Sequence, residues 1–311
     1  MDNNCTIRQS KPKVLNNKKS VIKDGGLLFT TLMLLPVILH FLIFYCGVNF
    51  NSILLAFTVP TSDGGQVFSL FNFEKFFREL QKPDSAVYMA FFNTLEYYGL
   101  KVGKFVLTSF VSYFFYKKLP FHRAYKILFF LPSMIPDMVY ISVFKQFVDK
   151  YGPLYEAMSI FGYQMAPPFV DPASAEGWIQ FYHFWSGFGP QLLIQIGAMN
   201  RIPEEVIDAA KLDGCIGFRE FRYIVLPLIF ETIATYFLLG IVEIFQSTGP
   251  FLFFVGTDMP QVYTLQYWIF TQTLGGATNY PAAIGLIFTI LALPLVLISR
   301  YFINKVDTVT Y

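Results

Sequence analysis

Six long apolar runs constrain this chain more than any other feature of its sequence. Each is close to the ~20 residues that an α-helix needs to cross the ~30 Å hydrocarbon core of a bilayer. Of 311 residues, 54% are hydrophobic and only 14% are charged, whereas a soluble domain has about 25% charged residues. The sequence therefore predicts an all-α polytopic membrane protein with six transmembrane helices. The runs are Leu27 to Gly47, Phe92 to Tyr116, Tyr125 to Phe147, Trp178 to Met199, Tyr223 to Phe245 and Ala282 to Phe302.

The distribution of positive charge predicts how these helices are oriented. Sixteen of the 23 lysines and arginines lie in the tail before the first run, the second and fourth loops and the tail after the last run. Five lie in the other loops, and Lys101 and Lys104 fall inside the second run. Because cytoplasmic loops carry the excess of Lys and Arg, we expect both termini to be cytoplasmic and the protein to be a multi-pass cell-membrane protein.

The same boundaries divide the chain into five parts. We expect a cytoplasmic tail (1–26), a first transmembrane helix (27–48), an extracellular loop (49–87), a core of five transmembrane helices (88–303) and a C-terminal tail (304–311). The polar tail is too long for a cleaved secretory leader. Within the extracellular loop, Leu70 to Leu80 has apolar residues at helical spacing, which predicts a short amphipathic helix. This helix either anchors at the lipid headgroups or docks an external protein.

No catalytic motif is visible in the sequence. The phosphate-binding pattern G-x-x-x-x-G-K-[ST], the zinc motif H-E-x-x-H and the nucleophile motif G-x-S-x-G are all absent. The three histidines and three cysteines are scattered along the chain without metal-ligand spacing. We therefore expect no catalytic site, bound metal or bound cofactor in this chain, and no nucleic-acid partner.

Four ionisable residues, Lys101, Lys104, Asp137 and Glu243, lie inside the predicted helices. A charge at that depth costs ~3 kcal/mol or more unless it finds a partner. Counting ~1.5 Å per residue from the cytoplasmic ends puts Lys104 and Asp137 at the same height. One hypothesis is that these two form an ion pair; the other is that they provide a cationic spot for an acidic sugar or a phosphate. Lys101 and Glu243 are expected nearer the outer surface.

Polar and aromatic residues on the fourth run are candidates for the substrate pathway. Gln191 and Gln195 are four residues apart and so share one helical face, and Trp185 precedes them on the same run. Polar groups at this depth face the interior of a helix bundle. Substrate contact and helix–helix hydrogen bonding both remain open.

The loop from 200 to 227 has the most specific pattern in the chain. It contains Glu205, then Asp208-Ala209-Ala210, Lys211, Asp213 and Gly214, and it continues to Ile224 and Leu226-Pro227. The spacing predicts a short helix that ends at a glycine turn, followed by a second short helix that ends at a proline.

This loop resembles the EAA loop of binding-protein-dependent, type I ABC importer permeases. The family pattern is E-A-A, three residues, G, nine residues, I, one residue and L-P, and every spacing fits. The departure is Asp208, where the family usually has Glu. The neighbouring Ile202 to Glu205 and Lys211 to Gly214 are similar to the carbohydrate branch of the family, the maltose and glycerol-phosphate permeases. Asn93-Thr94-Leu95 and Phe130 to Ser133 also resemble family segments.

The resemblance implies a function. Such a permease is half of a translocation pore, and the long outer loop resembles the first-partner type of a heterodimer; a homodimer is the alternative. Its partners are a second permease, two ATP-binding subunits that hold ATP and Mg, an extracellular solute-binding protein, a sugar substrate and membrane lipid. The residues implied in ATPase coupling are Glu205, Asp208, Ala209, Ala210, Lys211, Asp213, Gly214 and Pro227.

Other functions remain as alternatives. The substrate could be another small polar solute, such as a polyol phosphate or an acidic sugar. An ion-coupled secondary transporter would need paired repeats with broken helices at the bilayer midplane, and no convincing repeat is visible in the sequence.

Overall fold

The computed structural model describes residues 24–61, 65–118, 120–163, 167–244, 250–255 and 258–305. Most of the predicted tails, 1–26 and 304–311, lies outside these residues. The α-helices are α1 Asp24–His40, α2 Gly47–Ala56, α3 Phe71–Leu80, α4 Ala86–Tyr116, α5 His122–Met134, α6 Asp137–Val148, α7 Pro153–Ile160, α8 Pro172–Ser186, α9 Phe188–Met199, α10 Glu204–Leu212, α11 Phe218–Glu220, α12 Leu226–Leu228, α13 Phe230–Ile244, α14 Phe251–Phe254, α15 Leu265–Leu274 and α16 Asn279–Lys305. The π-helical turns Phe41–Cys46 and Phe221–Val225, the 3-10 turn Pro260–Val262 and the strands β1 Thr58–Pro60 and β2 Gln66–Phe68 complete the elements.

The described chain forms two compact units. The smaller one contains residues 24–77 and 272–289, and the larger one contains residues 78–271 and 290–305.

In the smaller unit, α1 and α2 are joined through a π-helical turn into one long helix. This helix continues to Ala56, past the predicted end of the first transmembrane helix at residue 48. The antiparallel strands β1 and β2 follow it. The carbonyl oxygen of Thr58 accepts hydrogen bonds from the side-chain amides of Asn72 on α3 and Asn279 on α16, each at 2.9 Å. Both asparagines are buried, so two helices fix the strand pair at one residue.

The amphipathic helix predicted over Leu70 to Leu80 is present as α3. Phe76 is buried on one face and packs edge to face against Phe288, with ring centroids 5.9 Å apart. Phe71 and Phe77 are exposed. The helix is therefore amphipathic in three dimensions as well as in sequence.

In the larger unit, the 31-residue helix α4 is the central element. Its first turn is capped because the Ser85 hydroxyl accepts a hydrogen bond from the backbone N–H of Val87. Helices α8, α9 and α13 pack along α4, and α5 packs on α9. Asn93 and Thr94 of α4 hold the segment that leads into α15. The Asn93 amide donates to the carbonyl oxygens of Gln261 and Tyr263, and the Thr94 hydroxyl accepts from the N–H of Leu265.

Three of the predicted transmembrane helices are not continuous. The third is bent by 107° between α5 and α6, where Pro136 cannot donate a helical hydrogen bond. The fourth is divided at Gly187, which separates α8 from α9. The fifth is bent by 71° between α12 and α13. The apolar run of a bent helix looks the same as that of a straight one, so hydrophobicity alone did not reveal these breaks.

Among the described residues, two helices are by themselves long and apolar enough to cross a membrane, Phe29–Ala56 and Asn279–Ile303. The number rises to four if the bent third helix and the bent fifth helix are each counted as one span. Helix α4 is longer than either, but it carries the charged residues Glu96, Lys101 and Lys104. The chain is thus mostly helical, with helices suited to a membrane.

Candidate functional site

The loop from 200 to 227 folds as a compact block in the larger unit. Its first helix, α10, begins after Pro203, whose fixed φ suits a helix start. Glu204 and Glu205 lie in its first turn and Lys211 in its last turn, as the helix dipole favours. The helix ends at Leu212 and is followed by a turn at Gly214, where φ is +76°. A residue with a Cβ is strained at this φ, so the predicted glycine turn is present and its requirement is conformational.

Helix α10 has an inner and an outer face. Ile207 and Ala210 are about 5% exposed and belong to an apolar cluster with Met199, Val225 and Ile229. Glu205, Asp208, Ala209, Lys211 and Asp213 are exposed. The two alanines of the motif therefore differ: Ala210 packs inside this chain, and only Ala209 is available to a partner.

The polar residues of the outer face interact with one another. The Lys211 ammonium donates to Asp208 at 2.7 Å, and both side chains remain more than half exposed. This carboxylate raises the pKa of Lys211, so the lysine stays charged at physiological pH. An exposed pair of this kind contributes little stability, which leaves both groups free to exchange partners at an interface.

Large apolar side chains surround this polar group. Leu212 is 90% exposed, and Ile216 and Phe218 are about 65% exposed. Exposed apolar side chains beside charged ones on a rigid surface are typical of a protein-binding patch. The outer face of the loop thus combines exposed charged and exposed apolar side chains.

The second half of the loop is attached to the end of α4. Glu220 on α11 is 1% exposed and forms an ion pair with Lys117, the residue after α4. The Tyr113 hydroxyl donates to the carbonyl oxygen of Gly217 at 2.9 Å. Pro227 lies in α12, immediately before the 71° bend into α13. The sequence analysis missed Glu220 and counted Lys117 only as a loop charge, because no local pattern distinguishes a buried glutamate in a three-residue helix.

Inside the helix bundle, the structure gives Lys104 a different partner from the predicted one. Its ammonium donates to the carbonyl oxygen of His183 at 2.9 Å. A Cβ added to Gly187 would lie 2.5 Å from the Lys104 ammonium, so the lysine occupies the space beside the break between α8 and α9. Asp137 begins α6, and no ion pair joins it to Lys104 within the described residues. Of the two hypotheses for these residues, the ion pair is therefore not formed, and the cationic spot for an acidic sugar or a phosphate stays a prediction.

Lys101 and Glu243 form an ion pair instead. The side chain of Lys101 is 23% exposed and that of Glu243 is 60% exposed. The two residues were predicted only to lie near the outer surface. We refer to Lys101, Lys104 and Glu243 as the central polar cluster.

The three candidate pathway residues of the fourth run lie on different helices, on either side of the break at Gly187. Gln191 and Gln195 lie on α9, each 2% exposed, and the Nε2 atoms of both have no hydrogen-bond partner among the described residues. Trp185 lies on α8, 41% exposed, with its ring centroid 5.6 Å from that of Tyr140. The glutamines thus face the bundle interior as predicted, whereas Trp185 belongs to an aromatic group on α6 and α8.

A further polar group was missed by the sequence analysis. The Gln180 amide of α8 donates to Glu96 of α4 at 3.0 Å and to Glu176 at 3.3 Å. The signal available was the four-residue spacing of Glu176 and Gln180 on one helix face. The partner on α4 needed the tertiary fold.

With this geometry established, comparison with known proteins gives the family. Residues 105–308 match the model of the binding-protein-dependent transport system inner membrane component family. The chain belongs to this family. The matched region includes all of α10, α11 and α12, so the loop lies in the shared part of the family fold.

Sugar permeases are among the relatives of this family member. It is 25% identical over 193 residues to the galactooligosaccharides transport system permease protein GanP of Bacillus subtilis, covering 58% of this chain and 46% of GanP. It is 24% identical over 208 residues to the maltose/maltodextrin transport system permease protein MalF of Escherichia coli, covering 62% of this chain and 39% of MalF. The matched region spans less than half of either relative.

Solved structures share the fold over nearly the whole chain. A bacterial ABC transporter involved in the import of the acidic polysaccharide alginate has a chain that superposes with a TM-score of 0.75 at 20% identity, covering 90% of this chain and 96% of that one. A bacterial alginate ABC transporter in complex with alginate pentasaccharide-bound periplasmic protein gives a TM-score of 0.77 at 19% identity, covering 92% and 96%. The type I ABC permease fold is thereby established for this chain.

Proposed function

We propose that this chain is the permease subunit of an ATP-driven ABC importer for sugars or oligosaccharides. The observation that carries the proposal is the loop 200–227, hereafter the coupling loop. It is a folded segment with a buried inner face, and its outer face presents Glu205, Asp208, Ala209, Lys211 and Asp213 beside exposed Leu212, Ile216 and Phe218. An exposed face that combines apolar and charged side chains indicates a protein-interaction site. An ATPase subunit that drives a permease must bind such a site.

The topology follows from the same proposal. We propose six transmembrane segments, three of them bent or divided, with both termini and the coupling loop in the cytoplasm, and the lysine and arginine distribution supports this orientation. Breaks at Pro136 and Gly187 suit a pathway, because non-helical backbone at membrane depth is tolerated where it is buried in protein or lines a cavity.

The partners complete the pore. We propose a second permease, two ATP-binding subunits and an extracellular solute-binding protein. The alginate ABC transporter that is in complex with a periplasmic protein supports the solute-binding partner, and the relatives named as transport system permeases support a multi-subunit transporter. The chain itself then binds no cofactor, and ATP with Mg belongs to the ATP-binding subunits.

Sugars are the substrate class that these relatives favour. Glu96, Glu176 and Gln180, with the buried Gln191 and Gln195, offer carboxylate and amide groups of the kind that hydrogen-bond sugar hydroxyls. An acidic sugar is the second candidate, since an alginate transporter shares the fold.

Reconstitution tests the proposal. The chain is co-expressed with the permease, ATP-binding and solute-binding proteins encoded beside it, and the purified complex is placed in liposomes with maltotriose, galactotriose or alginate trisaccharide outside. We expect uptake of at least one of these sugars to require ATP inside. Uptake that proceeds without ATP and follows an imposed proton or sodium gradient would favour a secondary transporter and overturn the proposal.

A further inference from the structure

The ion pair between Lys117 and Glu220 differs in burial from the Lys101–Glu243 and Lys211–Asp208 pairs. Its carboxylate is 1% exposed, whereas the acidic partners in the Lys101–Glu243 and Lys211–Asp208 pairs are 60% and 66% exposed. A buried carboxylate that loses its partner is strongly unfavourable. Loss of Lys117 would therefore cost more than loss of the lysine from either exposed pair, because it leaves the Glu220 carboxylate buried without its charge partner.

Two further contacts join the same elements. The Tyr113 hydroxyl of α4 donates to the carbonyl oxygen of Gly217, where φ is +62°. The ring of Phe221 lies 5.0 Å from that of Tyr113. The segment 217–221 is thus fixed to the last turn of α4 by an ion pair, a hydrogen bond and a ring contact.

The covalent connection from the coupling loop to α13 is less direct than the attachment of the loop to α4. The coupling loop ends with the π-helical turn Phe221–Val225 and α12, and a 71° bend then separates α12 from α13. A displacement of the loop would therefore have to be transmitted through this bend to reach α13. Helix α4, by contrast, is an unbroken helix of 31 residues.

We propose that Lys117 and Glu220 are positioning residues that fasten the coupling loop to α4, so that α4 is the helix that carries the displacement of the loop into the membrane. This inference rests on the proposed function. Neither residue touches substrate or nucleotide in this scheme, and both act through Tyr113 and the end of α4.

The decisive variant removes both charges. Lys117→Met alone leaves Glu220 buried without a partner, so we expect a poorer yield of assembled complex. Lys117→Met with Glu220→Gln replaces the unpaired buried charge by a neutral amide, which costs much less, so we expect most of the yield to return. Because the attachment to α4 is lost, we expect the ATP hydrolysed per sugar imported to rise about tenfold, a typical size for the coupling between two sites. Lys117→Arg keeps the charge and is expected to couple like the wild type. Lys118→Met, at the exposed neighbouring lysine, is the matched control and should also behave like the wild type.

A second measurement does not depend on the choice of sugar. Trypsin cleavage at Arg123, at the start of α5 next to α4, is followed in the assembled complex with and without ATP and vanadate. We expect trapping to change the cleavage rate in the wild type and to leave it unchanged in the double variant.

The outcomes separate this inference from the proposed function. A double variant with wild-type coupling and a wild-type trypsin response would overturn the role of the ion pair while ATP-driven uptake stands. A wild type without ATP-driven uptake overturns the proposed function; the trypsin response, if trapping still produces it in the wild type and not in the double variant, then continues to support the attachment to α4.

Discussion

The coupling loop and the central polar cluster, both in the larger unit, use charged side chains differently. In the loop, the charges of α10 point outward and are exposed, and the single buried carboxylate, Glu220, has a lysine partner. In the cluster, the most buried charge is Lys104, at 6% exposure, and its hydrogen-bond acceptor is a backbone carbonyl oxygen. The loop therefore offers its charge to another protein, whereas the cluster uses charge to hold a broken helix.

The glycine turn of the loop gives the largest expected effect. Gly214→Val places a β-branched residue at φ +76°, which costs about 1–2 kcal/mol in a left-handed conformation, and redirects the end of α10. We expect the protein to remain in the membrane and ATP-driven uptake to be abolished, as measured in liposomes.

Gly214→Asn is the matched control, because asparagine tolerates positive φ better than other residues. It should retain much of the uptake. Wild-type uptake by the valine variant would contradict a role for the turn in coupling.

Substitutions of the two alanines of the loop are expected to affect different properties, stability at Ala210 and coupling to the ATPase at Ala209. Ala210 is buried in the apolar cluster, so Ala210→Leu should overpack it and lower the free energy of unfolding by about 1–3 kcal/mol. Ala209 is exposed, so Ala209→Leu should leave stability unchanged and reduce ATP-driven uptake by obstructing the partner. Thermal unfolding and uptake are measured on both variants, and the reverse assignment of the two effects would contradict the orientation of α10.

The same contrast explains what the sequence could predict. The loop was predictable because its signals are local: a proline before α10, acids in its first turn and a glycine after it. The sequence analysis assigned Ala209 and Ala210 the same coupling role, and the burial of Ala210 beside Ile207 is a finding of the structure. The central polar cluster was not predictable, because the depth count for Lys104 and Asp137 assumed straight helices. The third run bends by 107° at Pro136, directly before Asp137, so that assumption fails for Asp137.

The central cluster gives a smaller effect than the loop. Lys104→Met removes the donor to the His183 carbonyl oxygen, and an unpaired buried acceptor costs about 1 kcal/mol or more. We expect the variant to have a lower melting temperature and to retain uptake of a neutral oligosaccharide. Both quantities are measured on the same protein preparation. Loss of neutral-sugar uptake without a change in melting temperature would indicate substrate contact instead.

Lys101→Met is the comparison for that variant. The Glu243 side chain that it leaves unpaired is 60% exposed, so water can replace the lysine. Its melting temperature should fall less than that of Lys104→Met. A larger fall would show that the exposed pair, and not the buried lysine, holds this part of the bundle.

Asp208 gives the smallest expected effect, although it is the one position of the loop that departs from the family pattern. Its side chain is 66% exposed and its partner, Lys211, lies on the same helix. A glutamate is one carbon longer and can still reach a lysine three residues away. We therefore expect Asp208→Glu to leave ATP-driven uptake within about twofold of wild type, as surface substitutions usually do. Asp208→Lys tests the same position by reversing its charge, and it should reduce uptake in a salt-dependent way if the ATPase presents a basic surface there. A large gain from Asp208→Glu would mean that the shorter acid limits the contact, and the outer face of α10 would then depend on side-chain reach more than on charge.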